Sequence, residues 1–318
     1  MQYRRFGTLD WNASVLGFGC MRFPTIEGDS GKIDQEKTNK MIWRAVDEGV
    51  NYFDTAYVYH QQQSEIALGT ALTGGLREKV RIATKLPIWL VQQADDFNRM
   101  LDEELLRLQT DIIDFYLMHA LDAASWEKVQ RLGLLQKAEQ AVADGRIGHV
   151  GFSFHDNLDV FKRIVDGYDY WTFCQIQYNY MDIDFQAGEK GLNYAAEKGL
   201  AVVVMEPLRG GKLAADLPAA RPIWEQAKQK RTPADWALQW LWSQPAVTSV
   251  LSGMSTLQQV DENVHSAARS RIGLLDAEEL ELVKQVREAL SGLSPIDCTQ
   301  CEYCLPCPQG VNIPRVFD

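Results

Sequence analysis

VNYFDTAYVY (50–59), VRIATK (80–85) and IDFYLMH (113–119) are three short apolar runs that deliver Asp54 and Tyr59, Lys85, and His119 at or just past their ends. Runs of this length, rich in β-branched and aromatic side chains, read as buried strands. A parallel barrel gathers its strand ends on one face, and charged groups there are usually chemistry. A carboxylate, a phenol, an ammonium and an imidazole meeting in one pocket make a proton-transfer device.

Working outward, similar runs occur at 15–17, 149–152, 173–177, 201–205 and 247–251. Between the runs lie segments of helical spacing at 34–48, 64–72, 95–108, 126–144, 158–166, 187–198 and 234–243. Eight strands alternating with helices predict βαβ units, and their regular spacing favours an α/β fold of the closed (β/α)8 TIM-barrel type. YRRFGTLDWNASVLG (3–17) reads as a hairpin before the first barrel strand. Residues 276–290 read as an amphipathic helix with Leu280, Val283, Val286 and Leu290 on one face. The predicted division is a barrel over 1–291 and a short cysteine-rich C-terminal extension over 292–318.

Composition narrows the function. The chain has 318 residues, 46% of them hydrophobic and 24% charged, as expected of a globular protein. A net charge of −11 argues against nucleic acid or an anionic membrane as a main partner. No run of eighteen apolar residues predicts a membrane span, and the N-terminal stretch lacks a signal-peptide core. Cys20 and Cys174 stand apart, while Cys298, Cys301, Cys304 and Cys307 crowd into ten residues. A disulfide framework would be spread out, so a cytoplasmic chain with a local cysteine cluster is expected.

The other strand ends also carry polar groups: Ser153, Gln175, Glu206 beside Met205, and Ser252. Singly, an Asp–Lys pair is usually a surface salt bridge, and a lone His or Tyr is usually packing. At successive strand ends their joint occurrence favours a site. FDTAYVY, Ser64–Glu65, ATK, LMH, GFS, QIQYN and EPLRGGKL, in this order, resemble the aldo-keto reductase superfamily from the N-terminus to about residue 291. The resemblance implies a barrel that binds NADPH or NADH without a Rossmann fingerprint. No G-x-G-x-x-G follows the first strand, where Gly17 and Gly19 lead into Cys20, Met21 and Arg22.

The resemblance implies reduction of a small carbonyl substrate, with Tyr59 as the acid that protonates the developing alkoxide. A free phenol, with a pKa near ~10, is too weak an acid at neutral pH, and a neighbouring cation lowers that value. Lys85 is the expected neighbour, held by Asp54, while His119 orients the substrate oxygen. The same resemblance assigns Gly19, Cys20, Met21 and Asp54, with Ser153 and Gln175 at the nicotinamide carboxamide, to the cofactor. It places Met205 against the nicotinamide ring and Pro207, Leu208, Gly210 and Lys212 over the pyrophosphate. Ser252, Gly253, Met254, Ser255, Thr256, Gln259, Glu262 and Asn263 are expected around the adenosine and its 2′-phosphate. Members that prefer NADPH present Lys or Arg where this chain has Gly253 and Gln259, so comparatively good use of NADH is expected.

In CTQCEYCLPCPQGVNIP (298–314), four cysteines at intervals of three precede Pro308. The spacing resembles ferredoxin-type motifs, with the last interval one residue short, and predicts a 4Fe-4S cluster on Cys298, Cys301, Cys304 and Cys307. Zinc and an empty motif stay open beside it. A subgroup of the superfamily carries a ferredoxin-like extension with a second cysteine set, which this chain lacks. An electron-transfer protein with a ferredoxin-like partner, and a nicotinamide-binding sensor without turnover, are the two other function classes. Hydrolytic barrels fit poorly, because no H-x-H pair and no carboxylate pair sit on the early strands. Phe23, Tyr57, Trp89 and Tyr180 are candidates for a substrate pocket.

Overall fold

The computed structural model describes residues 1–291, 304–305 and 307–316. An antiparallel hairpin of β1 (Tyr3–Arg5) and β2 (Asn12–Ser14) comes first, paired Tyr3 to Ser14 and Arg5 to Asn12. Eight parallel strands then form a closed barrel: β3 (Leu16–Gly19), β4 (Tyr52–Asp54), β5 (Arg81–Pro87), β6 (Ile113–Leu121), β7 (Ile147–Phe154), β8 (Phe173–Gln177), β9 (Ala201–Met205) and β10 (Ser249–Ser252). The ring closes where β10 pairs with β3, Ser252 opposite Phe18. The predicted TIM barrel with its leading hairpin is the observed architecture.

Helices α1 (Gln35–Asp47), α2 (Ser64–Ala71), α3 (Asp96–Leu108), α4 (Ala123–Arg131), α5 (Leu134–Ala143), α6 (Leu158–Asp166), α7 (Gly188–Glu197), α8 (Arg221–Trp224), α9 (Pro233–Trp242) and α10 (Leu257–Arg269) accompany the strands, before α11 (Ala277–Leu290) and the short α12 (Ile313–Val316). The single helix expected over 126–144 is two. Gly133, at φ 64°, takes a left-handed conformation that ends one turn and starts the next. Helix α10 was not anticipated; its start is fixed by Thr256, whose hydroxyl accepts from the Gln259 amide. On α11, Val283 and Val286 are buried as expected, but Leu280 is exposed. Among the described residues no helix is long and apolar enough to cross a membrane.

Two-residue periodicity places the site. Along each strand the same face points into the barrel, apolar near the bottom and polar near the top. Tyr52 is followed inward by Asp54, Ala83 by Lys85, Leu117 by His119, Phe173 by Gln175 and Val203 by Met205. The alternate positions Phe53, Ile82, Met118, Cys174 and Val204 pack outward under the helices. At Gly151 a Cβ would meet the Phe173 ring at 2.4 Å, so glycine is what lets that ring fill the barrel. The hairpin closes the bottom. Phe6 is fully buried, its ring 4.5 Å from Phe115, 5.5 Å from Phe173 and 5.7 Å from Tyr52.

Candidate active site

Asp54 ends β4, and Lys85 rises beside it from β5, which runs on to Pro87 rather than stopping at the lysine. Both side chains are at most 4% exposed. Lys85 Nζ donates to Asp54 Oδ1 at 2.6 Å, to the Thr55 carbonyl at 2.7 Å and to the Tyr59 hydroxyl at 3.3 Å. An ammonium has three N–H groups, and each has its acceptor here. The other oxygen of Asp54 accepts from Gln175 Nε2 at 2.8 Å. Burial pushes the Asp54 carboxyl up, and Lys85 and Gln175 pull it back.

His119 stands edge-on to Tyr59, with ring centroids 6.1 Å apart and planes at 80°. Its position depends on a bulge: the register of β6 against β7 shifts between Met118 and Leu121, where Ala120 has φ 55°. The Ala120 amide donates to Ser153 Oγ at 2.7 Å, which ties the bulge to β7. Burial, then the positive charge of Lys85, hold the His119 imidazole well below its ordinary pKa, so it is neutral at pH 7. The structure therefore brings the four predicted residues together.

Above them opens a cleft of about 730 Å³. Every predicted cofactor contact lines it except Cys20, Ser153, Lys212 and Thr256. Cys20 is buried in the outer core, and burial pushes its thiol up. Ser153 serves the bulge, Thr256 caps α10, and Lys212 lies in the 3-10 segment Arg209–Ala214. On the far wall, Ser252 Oγ accepts from Asn263 Nδ2 at 3.0 Å, and Gln259 Oε1 accepts from the Ser255 amide at 2.8 Å.

Several lining residues escaped the sequence reading. Arg22 follows β3, and a Cβ on Gly253 would come within 3.1 Å of its Cγ, so glycine lets the arginine stem lie across that segment. The charge of this lining residue acts on Glu206, just past the end of β9. Glu206 is mostly buried; burial pushes its carboxyl up while Arg22 opposes this, and its Oε2 accepts from the Gly210 amide at 2.8 Å. His155, just past β7, lies 3.3 Å from Gln186 Nε2 through its Nδ1, and burial pushes its imidazole down to about 4. Arg22 and His155 fall outside the quoted motifs, whereas Glu206 opens EPLRGGKL and was read as a strand-end polar group without being assigned to the cleft.

Of the four candidate pocket aromatics, Trp89 stands by the site, 5.0 Å from His119 between ring centroids. Phe23 packs in the outer core, Tyr180 packs with Trp224, and Tyr57 donates to Glu103 outside the barrel. Cys298 and Cys301 lie outside the described residues, while Cys304 is exposed and Cys307 half-buried, both as free thiols. Among the described residues no group of three or more His, Cys, Asp or Glu side chains is placed to hold a metal.

The family model described as "Aldo/keto reductase family" matches residues 15–288. L-galactose dehydrogenase of Arabidopsis thaliana is 27% identical, over 92% of this chain and 97% of its own. NADH-specific methylglyoxal reductase of Escherichia coli is 26% identical, over 89% and 98% respectively. Among solved structures, the holo form of aldo-keto reductase AKR11C1 from Bacillus halodurans superposes with a TM-score of 0.75 at 26% identity, over 90% of this chain and 96% of that one. An aldo-keto reductase from Klebsiella pneumoniae in complex with NADPH shares the fold at a TM-score of 0.71 and 22% identity, over 90% and 95%.

Proposed function

The chain belongs to the aldo/keto reductase family, and from that premise we propose that it reduces a small aldehyde or ketone to the alcohol, with Tyr59 as the proton donor. The observation that carries this reading is the Lys85 ammonium, 3.3 Å from the Tyr59 hydroxyl and itself fixed by Asp54. The positive charge stabilises the phenolate left behind when the proton moves to the carbonyl oxygen. His119 is neutral, so it is a poor proton source; its role is to donate a hydrogen bond that orients the carbonyl. Burial of the whole set strengthens each of these interactions.

A nicotinamide dinucleotide fits the cleft. The volume, the polar wall of Ser252, Gln259 and Asn263 beside the first turn of α10, and the Arg22 guanidinium suit a long anionic ligand. Bound there, NADPH or NADH supplies the hydride. Gln175, Met205, Leu208 and Gly253 are the residues we assign to holding it. Gly253 and Gln259 bring no charge to that wall, so we expect NADH to be accepted within about tenfold of NADPH in kcat/KM. Titrating both cofactors against one aldehyde checks this; a hundredfold NADPH preference contradicts it.

Tyr59→Phe tests the acid. Turnover of the aldehyde is expected to fall about 100- to 10,000-fold, with cofactor affinity retained by fluorescence titration. Retention of full turnover overturns the assignment. The four closely spaced cysteines favour a second reading, in which residues 292–318 form an extension with an iron–sulfur cluster that exchanges electrons with a ferredoxin-like partner. Anaerobic purification, a visible spectrum and iron and zinc analysis decide it, and a colourless, iron-free protein ends it.

A further inference from the structure

The turn that carries Tyr59 is held in an unfavourable shape. His60, Gln61 and Gln62 follow the tyrosine with φ of 51°, 51° and 71°, and none is glycine. A residue with a Cβ rarely adopts this region, and three in succession do not persist without outside support. Support comes from both flanks. On one side, His60 Nδ1 lies 2.9 Å from the Ser30 carbonyl, and its Nε2 accepts from the Phe23 amide at 3.2 Å. Gln61 Nε2 donates to Ser30 Oγ at 2.9 Å.

The other flank is a single side chain. Arg107, on α3, donates from Nη2 to Gln62 Oε1 at 2.7 Å and places its guanidinium 4.3 Å from the centroid of the Tyr57 ring. It therefore grips the chain two residues before Tyr59 and three residues after it. Arg107 is fixed in turn by Glu65 at 3.2 Å and Glu103 at 3.4 Å, and Tyr57 donates its own hydroxyl to Glu103 at 2.5 Å. None of these groups lines the cleft. We propose that Arg107 is a positioning residue: by bracketing the Tyr57–Gln62 turn from outside the barrel, it keeps the Tyr59 hydroxyl within reach of the Lys85 ammonium.

The proposal rests on Tyr59 being the acid, but its test can be read without turnover. Ultraviolet difference titration of each protein against its own Tyr59→Phe counterpart isolates the Tyr59 phenolate. In Arg107→Ala the turn relaxes, the hydroxyl leaves the ammonium, and the phenolate forms at higher pH than in the parent. Turnover of a model aldehyde such as 4-nitrobenzaldehyde falls at least about tenfold, while cofactor affinity stays within about twofold. Gln62→Ala, an exposed exchange that spares the ion pairs, shows the same upward shift to a lesser extent, and Gln62→Glu, which keeps the acceptor for Arg107, restores the parent titration. If Arg107→Ala does not fold, Arg107→Lys and the Gln62 pair decide. A lower Tm with unaltered Tyr59 titration and unaltered turnover overturns the positioning role. Full turnover in Tyr59→Phe sinks the acid assignment instead, leaving the titration to judge the bracket separately.

Discussion

At the scale of single residues, the histidines show how burial sets chemistry. His155 titrates at about 4 in place of 6.5, chiefly because burial penalises its charged form. Here the folded value lies below the unfolded one, so between about pH 6.5 and about 4 the unfolded chain binds the extra proton. Stability is complete above that window and falls as pH drops through it, by up to about 3 kcal/mol from this residue. Urea melts at pH 7 and pH 4.5 should therefore show a smaller loss in His155→Gln than in the parent. The four residues that we propose form the proton device were legible in the sequence because each closes an apolar run. Arg22 and His155 were not, because what makes them part of the cleft is the space left by Gly253 and the contact with Gln186.

At the scale of elements, α2 and α3 meet through two buried carboxyls. Glu65 accepts from Thr84 at 2.6 Å and pairs with Arg107; Glu104 accepts from Tyr116 at 2.6 Å, while its Oε1 meets no donor. Burial, then the neighbouring Glu65 charge, push the Glu104 carboxyl well above its ordinary value. A carboxyl raised in the fold stabilises most below its unfolded pKa, and that contribution is lost as pH rises through the folded value. Glu104→Gln keeps the acceptor for Tyr116 and removes the titration. It should stabilise the protein by about 1 kcal/mol or more at pH 8, with little gain at pH 4.5, in denaturant titrations. Strand and helix order followed from periodicity, which is why the barrel was readable. The break at Gly133 and the bulge at Ala120 were not, since each turns on one residue's left-handed backbone inside an otherwise regular pattern.

At the scale of the whole molecule, the aromatic packing and the proposed chemistry occupy opposite ends of one inward-facing stripe. Phe6 belongs wholly to the lower end, where it meets Trp11, Tyr52, Phe115 and Phe173. Phe6→Ala should cost about 3–5 kcal/mol in denaturant melts while leaving kcat per folded molecule unchanged. A fall in kcat would mean that the two ends are coupled. The hairpin was visible in the sequence as a turn between two short runs, but that its apex seals a barrel could be known only once the eight strands had closed.

That closure has a temporal side. Leu16–Gly19 and Ser249–Ser252, from opposite ends of the barrel, are hydrogen-bonded neighbours, and the cleft draws Gly19, Met21 and Arg22 from one and Ser252 to Asn263 from the other. During synthesis the first barrel strand must wait until the chain has emerged through Ser252 before its partner arrives. The wall to which we assign the nucleotide does not exist until then, so on that reading a chain still on the ribosome cannot yet bind a cofactor. Once the seam has formed, a ligand lying across it acts as a clasp, joining the earliest-made and latest-made strands of the ring.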